Sequence, residues 1–123
     1  MVHLIMKITR QLQGLALHIA DRLVPVKPVV RPVQELNTLE RESRRMHLYL
    51  ASNCPSSISI KRHCKRMGLR VVEKDVRRVD AFLNELVHGG GTPRVPCLRI
   101  DGDQSSDWLY SQEAILDYLD RRF

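Results

Sequence analysis

The sequence predicts an α/β domain: a three-layer sandwich in which a four-stranded mixed sheet carries helices on both faces, preceded by an amphipathic helix. Three observations lead there. From Met46 to Phe123 short apolar strands alternate with helical-period runs in the order β-α-β-α-β-β-α. The first two strands are separated by a helix-length run, as a parallel crossover requires. The last two are separated by Asp101-Gly102-Asp103, a turn that suits an antiparallel hairpin.

Taken in order, residues 1–24 form the first section. Leu4, Ile5, Ile8, Leu12, Leu15, Ala16, Ile19 and Leu23 fall at helical spacing, so an amphipathic helix is expected. Lys7, Arg10 and Arg22 interrupt it too often for a bilayer span, and they lie inside the apolar stretch rather than ahead of it as in a secretory leader. Residues 25–45 form a linker and lead-in. Pro25, Pro28 and Pro32 prevent helix and favour an extended, semi-rigid connection, and Gln34 to Arg45 reads as a short solvated helix.

Residues 46–123 form the domain itself. His47–Ala51 suits a first strand, and Ser56–Met67 a helix ended by Gly68. Leu69–Glu73 reads as the second strand and Asp80–Val87 as a helix stopped by Gly89-Gly90-Gly91. Pro96–Ile100 and Asp107–Tyr110 form the hairpin, and Ser111–Arg122 closes the domain with Ala114, Ile115, Tyr118 and Leu119 on one face.

A chain of 123 residues with 43% hydrophobic and 28% charged residues is enough for one domain with a real core and excludes a disordered or disulfide-built class. Cys54, Cys64 and Cys97 are an odd set that cannot all pair, which points to a reducing, cytoplasmic compartment and at least one free thiol. The net charge of +6 is uneven: up to Arg45 there are eight Lys or Arg against four Asp or Glu. That section has no aromatic residue for base stacking, so no nucleic-acid partner is expected. Residues 4–23 are instead a candidate contact for an anionic membrane surface at its inner face or for a protein partner, with packing on their own domain or self-association as the alternative.

Cys54 carries the strongest chemical signal. It stands between a strand and a basic helix with Pro55 at the first helical position, where a missing amide hydrogen costs nothing. The unsatisfied amides and positive end of such a helix favour a thiolate. Ser57, three residues on, is placed to turn its hydroxyl back toward the sulfur. His47, His63 and His88 have no acid or nucleophile beside them in sequence, and Trp108 and Tyr110 suit core or edge packing.

The C-P-S-S run at Cys54, the Val95-Pro96 pair before the third strand and the closing L-Y-S-Q-E-A-I-L-D-Y-L resemble the glutaredoxins of the thioredoxin superfamily, and likewise the N-terminal domain of glutathione S-transferases. The resemblance implies a cis Pro96 packed near the cysteine and Cys54 as nucleophile. It implies glutathione as co-substrate, with glutathionylated thiols as partners. The backbone of Val95 would hold the cysteinyl part of glutathione, Ser111 and Gln112 its γ-glutamyl end, and Arg94 its other carboxylate.

Ser57 replaces the second cysteine of the dithiol branch, so the resemblance implies a monothiol route. The sequence also departs from the pattern at Ala51, where many glutaredoxins have a lysine, and at Ser111, where transferases have an acid. A non-catalytic adaptor that keeps the fold for binding is the competing expectation. Cys64, ten residues along a helix from Cys54, is roughly 12–15 Å away and cannot pair with it. Cys97 is expected to turn away from the pocket that Val95 faces. No residues have zinc-site spacing, and Pro55 in place of glycine argues against a bridged iron-sulfur cluster.

Overall fold

The computed structural model of the protein describes residues 27–123; the amphipathic helix expected over residues 1–24 lies outside the described residues. The elements are α1 (Val33–Arg44), β1 (Met46–Leu50), α2 (Pro55–Arg66), β2 (Val72–Asp75), α3 (Asp80–Glu85), β3 (Cys97–Asp101), β4 (Ser106–Leu109) and α4 (Gln112–Arg122). A wider π-turn, Leu86–Gly90, extends α3. From β1 onward this is the expected β-α-β-α-β-β-α order.

The sheet order is β2-β1-β3-β4, with β1 and β2 parallel and the other two pairs antiparallel. Strand alternation sends Met46, Leu48 and Leu50 of β1 and Leu98 of β3 to one face. There they meet Leu39 of α1, Ile60 and Cys64 of α2, and Ile115 and Leu119 of α4. On the opposite face Tyr49 and Cys97 pack with Val76, Leu86 and the half-buried Phe82, Leu83, Trp108 and Tyr110. Helices therefore cover both faces, α1, α2 and α4 on one and α3 on the other.

The second strand begins three residues later than the sequence suggests. Gly68, at φ +79°, ends α2 in the left-handed conformation that glycine tolerates best. Its amide donates to Lys65 O at 3.1 Å and that of Leu69 to Cys64 O at 2.9 Å, the paired bonds of a Schellman cap. The Arg70 amide donates to Ser43 Oγ at 3.1 Å. Leu69 is thus spent on the helix end, where it is buried in the core. The ladder with β1 runs instead from His47 opposite Val72 to Leu50 opposite Asp75.

Two further differences come from packing. The lead-in helix α1 is not simply solvated: Leu39 and Ser43 are buried, and Arg122 of α4 bonds Glu42 at 2.9 Å. The extended residues ahead of it are also held, with the Val29 amide donating to Arg66 O at 2.8 Å. In the glycine run, a Cβ on Gly89 would overlap the Trp108 ring and one on Gly90 the Tyr110 hydroxyl. The helix there widens instead of ending cleanly at Val87, because the two aromatic side chains of the β4 end lie directly against its backbone.

Candidate functional site

Leu50 ends β1, and the chain turns at once: the Cys54 amide donates to Ala51 O at 3.0 Å. Cys54 is the N-cap of α2 in extended conformation (φ −93°, ψ 118°), with Pro55 in the first turn. Its carbonyl accepts the first helical bond, from the Ile58 amide at 3.0 Å, and its thiol, half-buried, makes no capping hydrogen bond. Ser57 is almost wholly buried at 1% exposure. Its hydroxyl oxygen accepts the Ala51 amide hydrogen at 3.3 Å, a tie between the first turn of α2 and the residue after β1.

Register brings the other candidate residues to the same end of the sheet. Tyr49 pairs with Cys97, so the residues before Cys97 lie beside those after Tyr49. The Val95–Pro96 peptide is cis and Pro96 is buried. Leu98 pairs with Leu109, so β4 leaves the sheet at this end too and delivers Ser111 and Gln112. Ser111 is the N-cap of α4, its oxygen accepting the Ala114 amide at 2.9 Å. Arg94 is exposed, and its amide donates to Thr92 Oγ1 at 3.2 Å. Three chain segments far apart in sequence thus share one end of the sheet: the Cys54 turn, the loop through Arg94, Val95 and Pro96, and the start of α4.

The remaining thiols are internal. Cys64 is 1% exposed, and burial pushes its pKa up to about 12. Cys97 is fully buried and pushed up to about 11 by the same cause, with a hydrogen bond from Tyr110 working the other way. The expectation that alternation separates Cys97 from Val95 is corrected here. Two residues apart in extended chain share a face, and both pack against the Tyr49 cluster. Among the described residues no group of three His, Cys, Asp or Glu could hold a metal ion.

Sequence reasoning missed a charged network on that same face. Tyr49 donates to Glu85 Oε2 at 2.9 Å, and Lys74 Nζ reaches the same oxygen at 2.7 Å. Arg99 donates to Tyr49 Oη at 2.8 Å and pairs with Asp101 at 2.9 Å, its guanidinium lying 5.9 and 5.6 Å from the Tyr49 and Trp108 rings. His47 Nε2 lies 3.0 Å from Asp101 Oδ2. An ionised carboxylate only accepts, so Nε2 carries the imidazole proton and the buried Nδ1 its lone pair.

The local charges follow from this arrangement. The Lys74 ammonium, above all, holds the Glu85 carboxyl below its ordinary range. Burial works against the Asp101 carboxylate, yet the Ser106 hydroxyl and Arg99 together keep its pKa low. Burial, then the charges of Arg99 and Lys74, lowers His47 in spite of Asp101. Period-two alternation in β1 and β3 was the available signal: it places His47 with Tyr49, and Arg99 with Asp101, on one face.

No family model matches the chain, and no curated protein matches it. Among solved structures it is similar to the crystal structure of a mutant of the thioredoxin-like protein BC3987. The match has 22% identity and a TM-score of 0.50, over 60% of this chain and 97% of that one. At this identity the likeness speaks to the fold alone, which is thioredoxin-like. No helix among the described residues is long and apolar enough to cross a membrane.

Proposed function

We propose that this thioredoxin-like chain is a glutathione-dependent thiol-disulfide oxidoreductase of monothiol type. The observation that carries the reading is the half-buried Cys54 thiol at the start of α2, at the end of the sheet shared by the Val95–Pro96 peptide and the start of α4. In the first step the Cys54 thiolate attacks the glutathione sulfur of a mixed disulfide. A Cys54–glutathione disulfide forms, the substrate thiolate leaves, and it takes a proton from water. In the second step a glutathione thiolate attacks the glutathione sulfur of that adduct, releasing oxidised glutathione and restoring Cys54. Ser57 has no sulfur with which to resolve the adduct, so glutathione serves as the second thiol.

Val95 would align the cysteinyl backbone of glutathione in strand-like fashion. The N-terminus of α4 at Ser111 and Gln112 suits the γ-glutamyl carboxylate. The exposed Arg94 is available to the glycyl carboxylate.

The test is incubation of the full chain with oxidised glutathione and intact-mass detection, followed by turnover of a glutathionylated substrate. One adduct on Cys54, and turnover that vanishes in Cys54→Ser, is the expected result. Absence of an adduct, or turnover unchanged in Cys54→Ser, overturns the reading and leaves a fold used for binding.

A further inference from the structure

Helix α1 presents one face to the core and an aliphatic one to the outside. Leu39 and Ser43, four apart, face the core. Val33 and Leu36, three apart, face outward at 70% and 46% exposure. Val29 and Val30, just ahead of the helix, are 53% and 95% exposed, so the four form a run of uncovered aliphatic side chains within eight residues. Leu36 also lines a groove of about 530 Å³ walled by Pro28, Leu69 and Gly68 and rimmed by Glu40, Lys65 and Arg70.

We infer that this groove is the seat of residues 4–23 of the same chain. Leu4, Ile8, Leu12, Leu15, Ile19 and Leu23 supply an apolar stripe of the kind the groove lacks. The described chain begins at Lys27, and its next residue, Pro28, is already a wall of the groove. Four residues, Val24 to Lys27, separate Leu23 from that wall. A tether this short gives an effective concentration in the millimolar range, which a second copy or a free partner would have to exceed. The groove is concave with charged rims, a shape that takes a helix better than it takes a flat bilayer. The inference does not depend on the chemistry of Cys54.

The test is limited trypsin digestion of the full chain, with cleavage after Lys7, Arg10 and Arg22 followed by mass spectrometry. Leu36→Asp and the milder Leu36→Ser, at the aliphatic side chain of α1 that lines the groove, are compared with Val87→Asp, a control at a 39%-exposed valine that does not line it. Cleavage at those sites is expected to be about 10-fold faster in each groove variant and unchanged in the control, because proteolysis follows the population of the undocked segment. Far-UV circular dichroism confirms that each variant remains folded, and the milder Leu36→Ser carries the test if Leu36→Asp does not fold. Equal cleavage in wild type and both groove variants overturns the inference. So does protection that appears only with anionic phosphatidylserine vesicles, which assigns the segment to a membrane, or protection lost on dilution, which assigns it to a second copy.

Discussion

The hydroxyl of Ser57 accepts the amide hydrogen of Ala51 at 3.3 Å, tying the first turn of α2 to the residue that follows β1. Both groups are buried, and the bond fixes the turn that carries Cys54. Ser57→Ala leaves the Ala51 amide without this acceptor and is expected to cost about 1–2 kcal/mol of stability, read from urea unfolding. Glutathione adduct formation at Cys54 should persist in that variant, since the hydroxyl acts on the backbone. Loss of the adduct with unchanged stability would give Ser57 a direct role at the sulfur.

The three thiols should separate cleanly by reactivity. Cys64 and Cys97 are buried and their pKa values are pushed up to about 12 and about 11, whereas Cys54 is half-exposed. At pH 7.5 iodoacetamide is expected to label the native protein once, at Cys54, and three times after denaturation. Labelling of Cys97 in the native protein at a rate like that of Cys54 would show that the Tyr110 side of the site opens.

Gly90 lies against the Tyr110 hydroxyl, which in turn donates to Thr92 O at 3.1 Å and so braces the loop leading to Val95. Gly90→Ala places a methyl group where that hydroxyl sits. A loss of about 1–3 kcal/mol is expected, the range for overpacking a fitted contact, together with weaker glutathione exchange. Gly68→Ala, by contrast, meets open space but a left-handed backbone, and should lose stability without affecting exchange.

Acid should weaken the fold in two stages. The folded pKa of His47 lies below its ordinary value, so the unfolded chain binds the proton first. Its contribution is complete above about pH 6.5 and is lost as pH falls through the lowered folded value. Glu85 and Asp101 are also lowered, so their contributions hold above the ordinary carboxylate range and disappear further down. Unfolding free energy is expected to decline from pH 7.5 to 5 with a shallower slope in His47→Gln; an identical slope in the variant would show that His47 does not set it.

Much of the candidate site was legible because its signals are local. Cys54 before Pro55 at a helix start and Ser111 capping through the amide three residues later are relations within one turn of chain. The Val95-Pro96 pair was legible through resemblance, and the cis bond agrees with it. The bond from the Ala51 amide to Ser57 was not legible, because Ala51 lies on the other side of the Cys54 turn. Leu69 was assigned to β2 on its apolar character, but a residue after a Schellman glycine is drawn back over the helix end before a strand can begin.

By itself, then, the sequence determined the order of the elements, the ends of α2 and α4, and the placing of a thiol at a helix start. Each depends on side-chain periodicity or on bonds spanning a few residues. Only the tertiary structure decided the strand order β2-β1-β3-β4, the docking of α1 and the placing of three loops at one end of the sheet. It alone joined His47 to Asp101 and Tyr49 to Glu85, 54 and 36 residues apart. Such contacts depend on which strands pair and in what register, and that choice is made by burying the whole apolar surface at once, a condition that no single stretch of chain expresses.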